Sequence, residues 1–115
     1  MNIKIVTKKI LIDNIKKIAE ETFGAMAKAV VDIEKDIMAV GGELHADAEA
    51  VLIENGSKQE NIWGINIFPY KKGKDRYEFT ALINIRPSIG NRSMEIENLN
   101  ICKKITVICD KLIKW

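Results

Sequence analysis

Asn55-Gly56 constrains this chain more than any other pair of residues. Flanked by Ile53-Glu54 and Ser57-Lys58, it is the strongest short-range signal for a two-residue β-hairpin, because a type I′ turn needs φ > 0 at both central positions. Setting Glu54 opposite Ser57 fixes the register of everything upstream. Ala48 then faces Trp63, Ala46 faces Ile65 and Leu44 faces Ile67, small against large on one side of the sheet. On the other side Asp47 falls opposite Gly64 and His45 opposite Asn66. The upstream arm, Glu43 to Glu54, carries two periodicities at once. Strict alternation from Glu43 to Ala50 is that of a strand. Its Ala and Glu content, with Leu44, Ala48, Val51 and Leu52 at helical spacing, is that of a helix. The turn signal tips the expectation to strand, with helix as the alternative.

The remaining segments are easier to read. Ile3 to Val6 alternate with polar neighbours as a first strand, and Ile15, Ile18, Ala19 and Thr22 predict a helix over 13–23 that Gly24 ends. Ala27 to Ile33 and Ile37 to Val40 are β-prone runs about a Glu34-Lys35-Asp36 turn. Ile62 to Phe68 and Tyr77 to Arg86 read as two more strands, in a register that sets Ile67 against Ile83, Asn66 against Asn84 and Gly64 against Arg86. Residues 87–93 form a loop, followed by a short run from Met94 to Ile96. Ile101, Ile105, Ile108 and Leu112 then form the apolar stripe of an amphipathic helix over 99–113. The expected fold is α+β: one domain over 1–115, a mainly antiparallel sheet, and two amphipathic helices packed on one face.

Composition excludes several functions. The chain has 115 residues, 47% hydrophobic, which supplies a core without disulfides or a structural metal. A net charge of +2 gives no broad basic footprint, so nucleic acid is not an expected partner. No apolar run approaches the ~18 residues of a membrane span, and MNIKIVTKKI has no signal-peptide h-region. A cytoplasmic protein with no membrane contact is expected. Cys102 and Cys109 lie two helical turns apart, about 10 Å along the axis, too far to bridge. They read as small buried hydrophobes. One His and no C-x-x-C make a zinc site of the usual kind an unexpected feature, and the sequence names no cofactor.

The blocks GGELHADAEAVLIENGS, NIWGINIFP and LINIRPSIGNRSMEIE resemble a small family of uncharacterised prokaryotic proteins, known only as a domain of unknown function. The likeness runs over nearly the full chain. It implies no reaction, substrate or cofactor and gives no residue a role.

In the expected register one sheet face carries His45, Asn66 and Asn84 in a row, with Asp47, Gly64 and Arg86 in the next. An Arg guanidinium can meet a carboxylate above the intervening Gly. His45 and Asp47 are then the candidate catalytic pair, a proton carrier and its orienting carboxylate. Asn66, Asn84, Arg86, Asn91 and Arg92 are the candidate ligand-binding residues, because backbone N–H groups around Gly90-Asn91 can cradle a phosphate or carboxylate beside the arginines. The bland alternative is a solvated sheet face, with the loop arginines paired to Glu95 or Glu97. Trp63 reads as core. Two functions fit: a small-anion-binding domain, a hydrolase or isomerase if it is catalytic, or a non-catalytic interaction protein. A homo-oligomer is compatible with both.

Overall fold

The computed structural model describes residues 2–115. Strand β1 (Ile3–Val6), a two-residue strand β2 (Ile10–Leu11) and helix α1 (Ile12–Glu21) open the chain. The apolar stripe of α1 buries Ile15 and Ala19. The helix is closed by Gly24, which takes a φ of +86° and donates its N–H to the Ala19 carbonyl. Strands β3 (Ala27–Asp32) and β4 (Ile37–Gly41) form the hairpin expected about Glu34-Lys35-Asp36, with Asp32 opposite Ile37. Buried Asp32 holds that turn: its carboxylate accepts the N–H groups of Glu34 and Lys35, both at 2.9 Å. Helix α2 (His45–Glu54), strand β5 (Ile62–Ile67), short strand β6 (Tyr77–Glu78), helix α3 (Leu99–Leu112) and strand β7 (Ile113–Lys114) complete the chain. The main sheet is antiparallel in the order β1-β4-β3-β5-β6, and β2 pairs in parallel with β7.

Alternation along the strands divides the core in two. Ala27, Ala29 and Val31, with Met38, Val40, Trp63, Ile65 and Ile67, cluster with Ile15 and Ala19 of α1 and with Ile105, Ile108, Cys109 and Leu112 of α3. Val30, Ala39 and Ile62 point the other way and cluster with Ala48 and Leu52 of α2. The sheet face opposite the two expected helices is therefore covered by a third helix of the same chain.

That helix corrects the strand expected over 43–54, and with it the pairings of Ala48 with Trp63, Ala46 with Ile65 and Leu44 with Ile67. The partner of Trp63 is Val31, and that of Ile65 is Ala29. The error has a specific origin. Asn55-Gly56 is also the signature of a Schellman helix stop, which needs φ > 0 at only the glycine. Asn55 lies at φ −100° and Gly56 at +99°. The Ser57 N–H reaches the Leu52 carbonyl at 3.0 Å and the Gly56 N–H reaches Ile53 at 3.1 Å, the two bonds of that motif. Ser57 does not begin a solvent-facing strand; its buried hydroxyl donates to Asp32 Oδ2 at 2.6 Å.

The strand expected over 77–86 also shortens. β5 meets β6 only through Asn66–Glu78 and Ile67–Tyr77, so the pairings of Ile67 with Ile83 and Asn66 with Asn84 do not form. Beyond Glu78 the chain bridges Thr80 to Glu95, turns away through residues 82–84, and closes a second bridge, Arg86 to Asn91.

Candidate functional site

The first turn of α2 can lie across β5 because residue 64 is glycine. A Cβ there would stand 3.2 Å from His45 Cδ2, 3.1 Å from Ile83 Cγ1 and 2.5 Å from Ala81 Cβ. The missing methyl lets both α2 and the 81–84 turn reach the sheet. His45 is buried, and its Nε2 lies 2.8 Å from the Ile65 carbonyl oxygen. A carbonyl can only accept, so Nε2 carries the proton and Nδ1 keeps its lone pair. Burial holds the imidazole below the ordinary histidine pKa. The Lys28 charge adds to that shift, while the hydrogen bond to the Ile65 carbonyl and the nearby polar side chain of Asn66 oppose it. The ring is neutral at pH 7.

This has a measurable consequence. A histidine whose folded pKa is lowered binds its proton more readily in the unfolded chain, so stability is present above about pH 6.5 and falls as pH drops through the window below it. His45 is the sole histidine. Urea unfolding between pH 7.5 and 5.5 is expected to show wild-type stability declining, and His45→Gln to decline distinctly less. Equal slopes would mean that the ring titrates as a solvated group.

Beneath His45, the sheet register sets Lys28 opposite Asn66 and Asn66 opposite Glu78. The Asn66 Nδ2 donates to Glu78 Oε1 at 2.7 Å. A carboxylate can only accept, so the amide is oriented with its nitrogen toward Glu78. Asn66 Oδ1 is then left buried without a donor from the protein. Lys28, His45, Asn66 and Thr80 share the wall of a cavity of about 400 Å³ whose other walls are apolar, among them Met26, Ala81 and Met94. Leu44 and Leu82, 57% and 71% exposed, also line it.

Of the expected site residues, only His45 and Asn66 line this cavity. Asp47 does not orient His45: two residues apart on a strand they would share a face, but on a helix they point apart. Half-buried Asp47 lies in the first turn of α2, where a carboxylate suits the helix dipole, and lines a separate depression with Glu21 and Glu43. Arg86 does not meet Asp47 either. Its Nη2 lies 3.4 Å from Glu49 Oε2, and it donates to the carbonyls of Ile83 and Gln59 at 2.9 and 2.8 Å. Asn84 is fully buried and grips the backbone of Gly64. Asn91 donates to the carbonyls of Asn84, Ser93 and Glu95 and accepts the Glu97 N–H, so its amide is fully used within the loop. Arg92 is exposed. The N–H groups of Arg92 and Ser93 do cradle an anion, but it is the Glu97 carboxylate of the same chain, at 2.6 and 3.0 Å.

The sequence reading missed Lys28 and the apolar walls. The signal for Lys28 was present: it is the lone charge inside the run Ala27 to Val31. Its ammonium sits 4.8 Å from the ring centre of Phe23, and the side chain lines the cavity. Both cysteines are free, and burial pushes both thiols up, so neither is primed as a nucleophile.

A family model described as Protein of unknown function (DUF5674) matches residues 4–112. The chain belongs to that family. No curated protein matches it, and no solved structure does. Among the described residues no helix is long and apolar enough to cross a membrane. For this member of the family, the cavity under α2 combines an apolar body, a cation, a neutral imidazole and an unused acceptor. That set can hold a small amphiphilic acid.

Proposed function

We propose that the cavity binds a small ligand with an apolar body, an anionic group facing Lys28, and an N–H or O–H that donates to Asn66 Oδ1. The unused acceptor carries this reading. A buried acceptor with no partner costs about 1–3 kcal/mol, which a donor from outside the chain recovers. The volume, about 400 Å³, is in the range of small-molecule sites, and apolar walls with few polar groups are their usual lining. Lys28 supplies the preference for acids. His45 is neutral and has no carboxylate behind it, so the reading is one of binding first. Hydrolase or isomerase chemistry would use the Nδ1 lone pair as a base. The free thiols of Cys102 and Cys109 fit a cytoplasmic location.

A thermal-shift screen of apolar amino acids, hydroxy acids and small organophosphates tests this. A ligand at a hundredfold excess over its Kd stabilises by about 2.7 kcal/mol, roughly 8–12 °C in Tm for a chain of this size. Ala46→Phe, at an exposed position in the cavity wall, is expected to abolish the gain by filling the space. A flat screen, or a gain that survives in Ala46→Phe, contradicts the proposal.

The second reading is a homodimer contact. Leu44, Leu82 and Met94 are exposed together around this one cavity, and apolar side chains gathered this way favour a partner surface. A concentration-dependent change in sedimentation that Leu82→Glu removes would support it.

A further inference from the structure

A second cavity lies on the other side of the molecule, of about 280 Å³. Its wall carries four cationic side chains: Lys16 from α1, Lys71 and Lys72 from the loop after β5, and Arg76 just before β6. No carboxylate is among its lining residues. Two aromatic rings frame it. Arg76 stacks its guanidinium carbon 4.0 Å from the ring centre of Trp115, and the Lys16 ammonium sits 5.2 Å from that of Tyr70. Stacking of this kind fixes the guanidinium plane and leaves its N–H edge free to bond.

The neighbouring acids offset only part of this cluster. Asp110 lies 3.9 Å from Arg76 Nη1, a loose contact, and already accepts the Tyr77 hydroxyl at 2.6 Å. Glu20 accepts the Tyr70 hydroxyl at 2.8 Å. Arg76 Nε is buried with no acceptor. Four cations against one loosely placed carboxylate still repel one another, and a buried guanidinium N–H without a partner adds a further cost.

We infer that this cavity is a binding site for a compact phosphate group, held by Arg76 with Lys16, Lys71 and Lys72. Arg76 supplies the planar fork suited to phosphate oxygens, and the lysines supply charge. The small volume suits one or two phosphoryl groups, with the remainder of a larger phosphorylated molecule outside. The net charge of +2 spreads no wider basic track for a nucleic-acid backbone. The site shares no residue with the cavity under α2 and stands independently of it.

The test follows the indole N–H resonance of Trp115, assigned by its loss in Trp115→Phe, as pyrophosphate is added to the full chain at constant ionic strength. A saturable shift is expected, with binding weakened about tenfold or more in Arg76→Gln and Lys72→Gln. Lys72 is exposed, so that variant separates lost binding from lost folding. A shift matched by chloride at equal ionic strength would reduce the effect to screening and overturn the inference. So would binding unaltered in both variants. A single-stranded oligonucleotide that binds more tightly than pyrophosphate, with steep salt dependence, would overturn it in favour of a nucleic-acid surface.

Discussion

Asn84→Ala is expected to destabilise the fold by about 3–5 kcal/mol. β5 has a neighbouring strand on its outer side only at Asn66 and Ile67. At Gly64 that neighbour is a side chain. Asn84 Oδ1 accepts the Gly64 N–H at 2.8 Å while its Nδ2 donates to the Gly64 carbonyl at 2.9 Å and to that of Met94 at 3.1 Å. A carboxamide presents a donor and an acceptor side by side, as a peptide group does, so one residue closes the sheet edge in place of a strand. Alanine leaves the Gly64 N–H and C=O unpaired in a buried place, each costing about 1–3 kcal/mol before any water enters, and opens a cavity, while the Met94 carbonyl keeps the Ala81 N–H. In urea the midpoint is expected to fall by roughly 2 M at an m-value of about 2 kcal/mol/M. Asn84→Asp is expected to be no rescue, because it keeps the acceptor but sets a carboxylate against two carbonyls. A loss below about 1 kcal/mol for Asn84→Ala would show that the edge is closed by something else.

The second large effect is expected at Gly64. Gly64→Ala puts a methyl 2.5 Å from Ala81 Cβ, with Ile83 and His45 close behind. This glycine is required by space, since neighbouring backbone and side chains cannot all retreat without moving α2 or the 81–84 turn. Overpacking of this kind costs about 1–3 kcal/mol and sometimes more. The readout that separates it from a general loss of stability is local. The His45 ring and the Asn66 side-chain amide should shift strongly in NMR spectra of the folded variant, and ligand binding under α2 should weaken. A variant as stable as wild type with an unmoved His45 resonance would contradict the packing described.

The local patterns in the sequence and the long-range ones were unequally legible. β1, the β3–β4 hairpin, α1, β5 and α3 each carry a period or a turn that only one structure satisfies. α2 does not. Its alternation and its Asn55-Gly56 stop are shared by a hairpin arm and a Schellman-capped helix, and the choice is made by contacts far off in the chain. Ser57 bonds Asp32 across 25 positions, and Ala48 and Leu52 pack on Val30 and Ala39. The same holds for the candidate site. His45 and Asn66 were legible as polar residues sharing one sheet face, and both line the cavity. Asp47 was grouped with His45 by a strand period that a helix does not have. Arg86 was paired across Gly64 by a register that ends two residues into β6. Lys28 was visible as an isolated charge, but its neighbours were assigned to other elements.

The most direct test of the central claim follows two groups in one titration, the Asn66 side-chain amide and the His45 imidazole in ¹⁵N-labelled protein, as leucine and 2-hydroxyisocaproate are added at pH 7. The Asn66 amide and the His45 ring should shift together and saturably, with Lys28→Gln weakening the effect and the Trp115 indole unmoved. If both groups stay fixed with every apolar amino and hydroxy acid up to millimolar concentration, the cavity under α2 is a packing feature and not a ligand site.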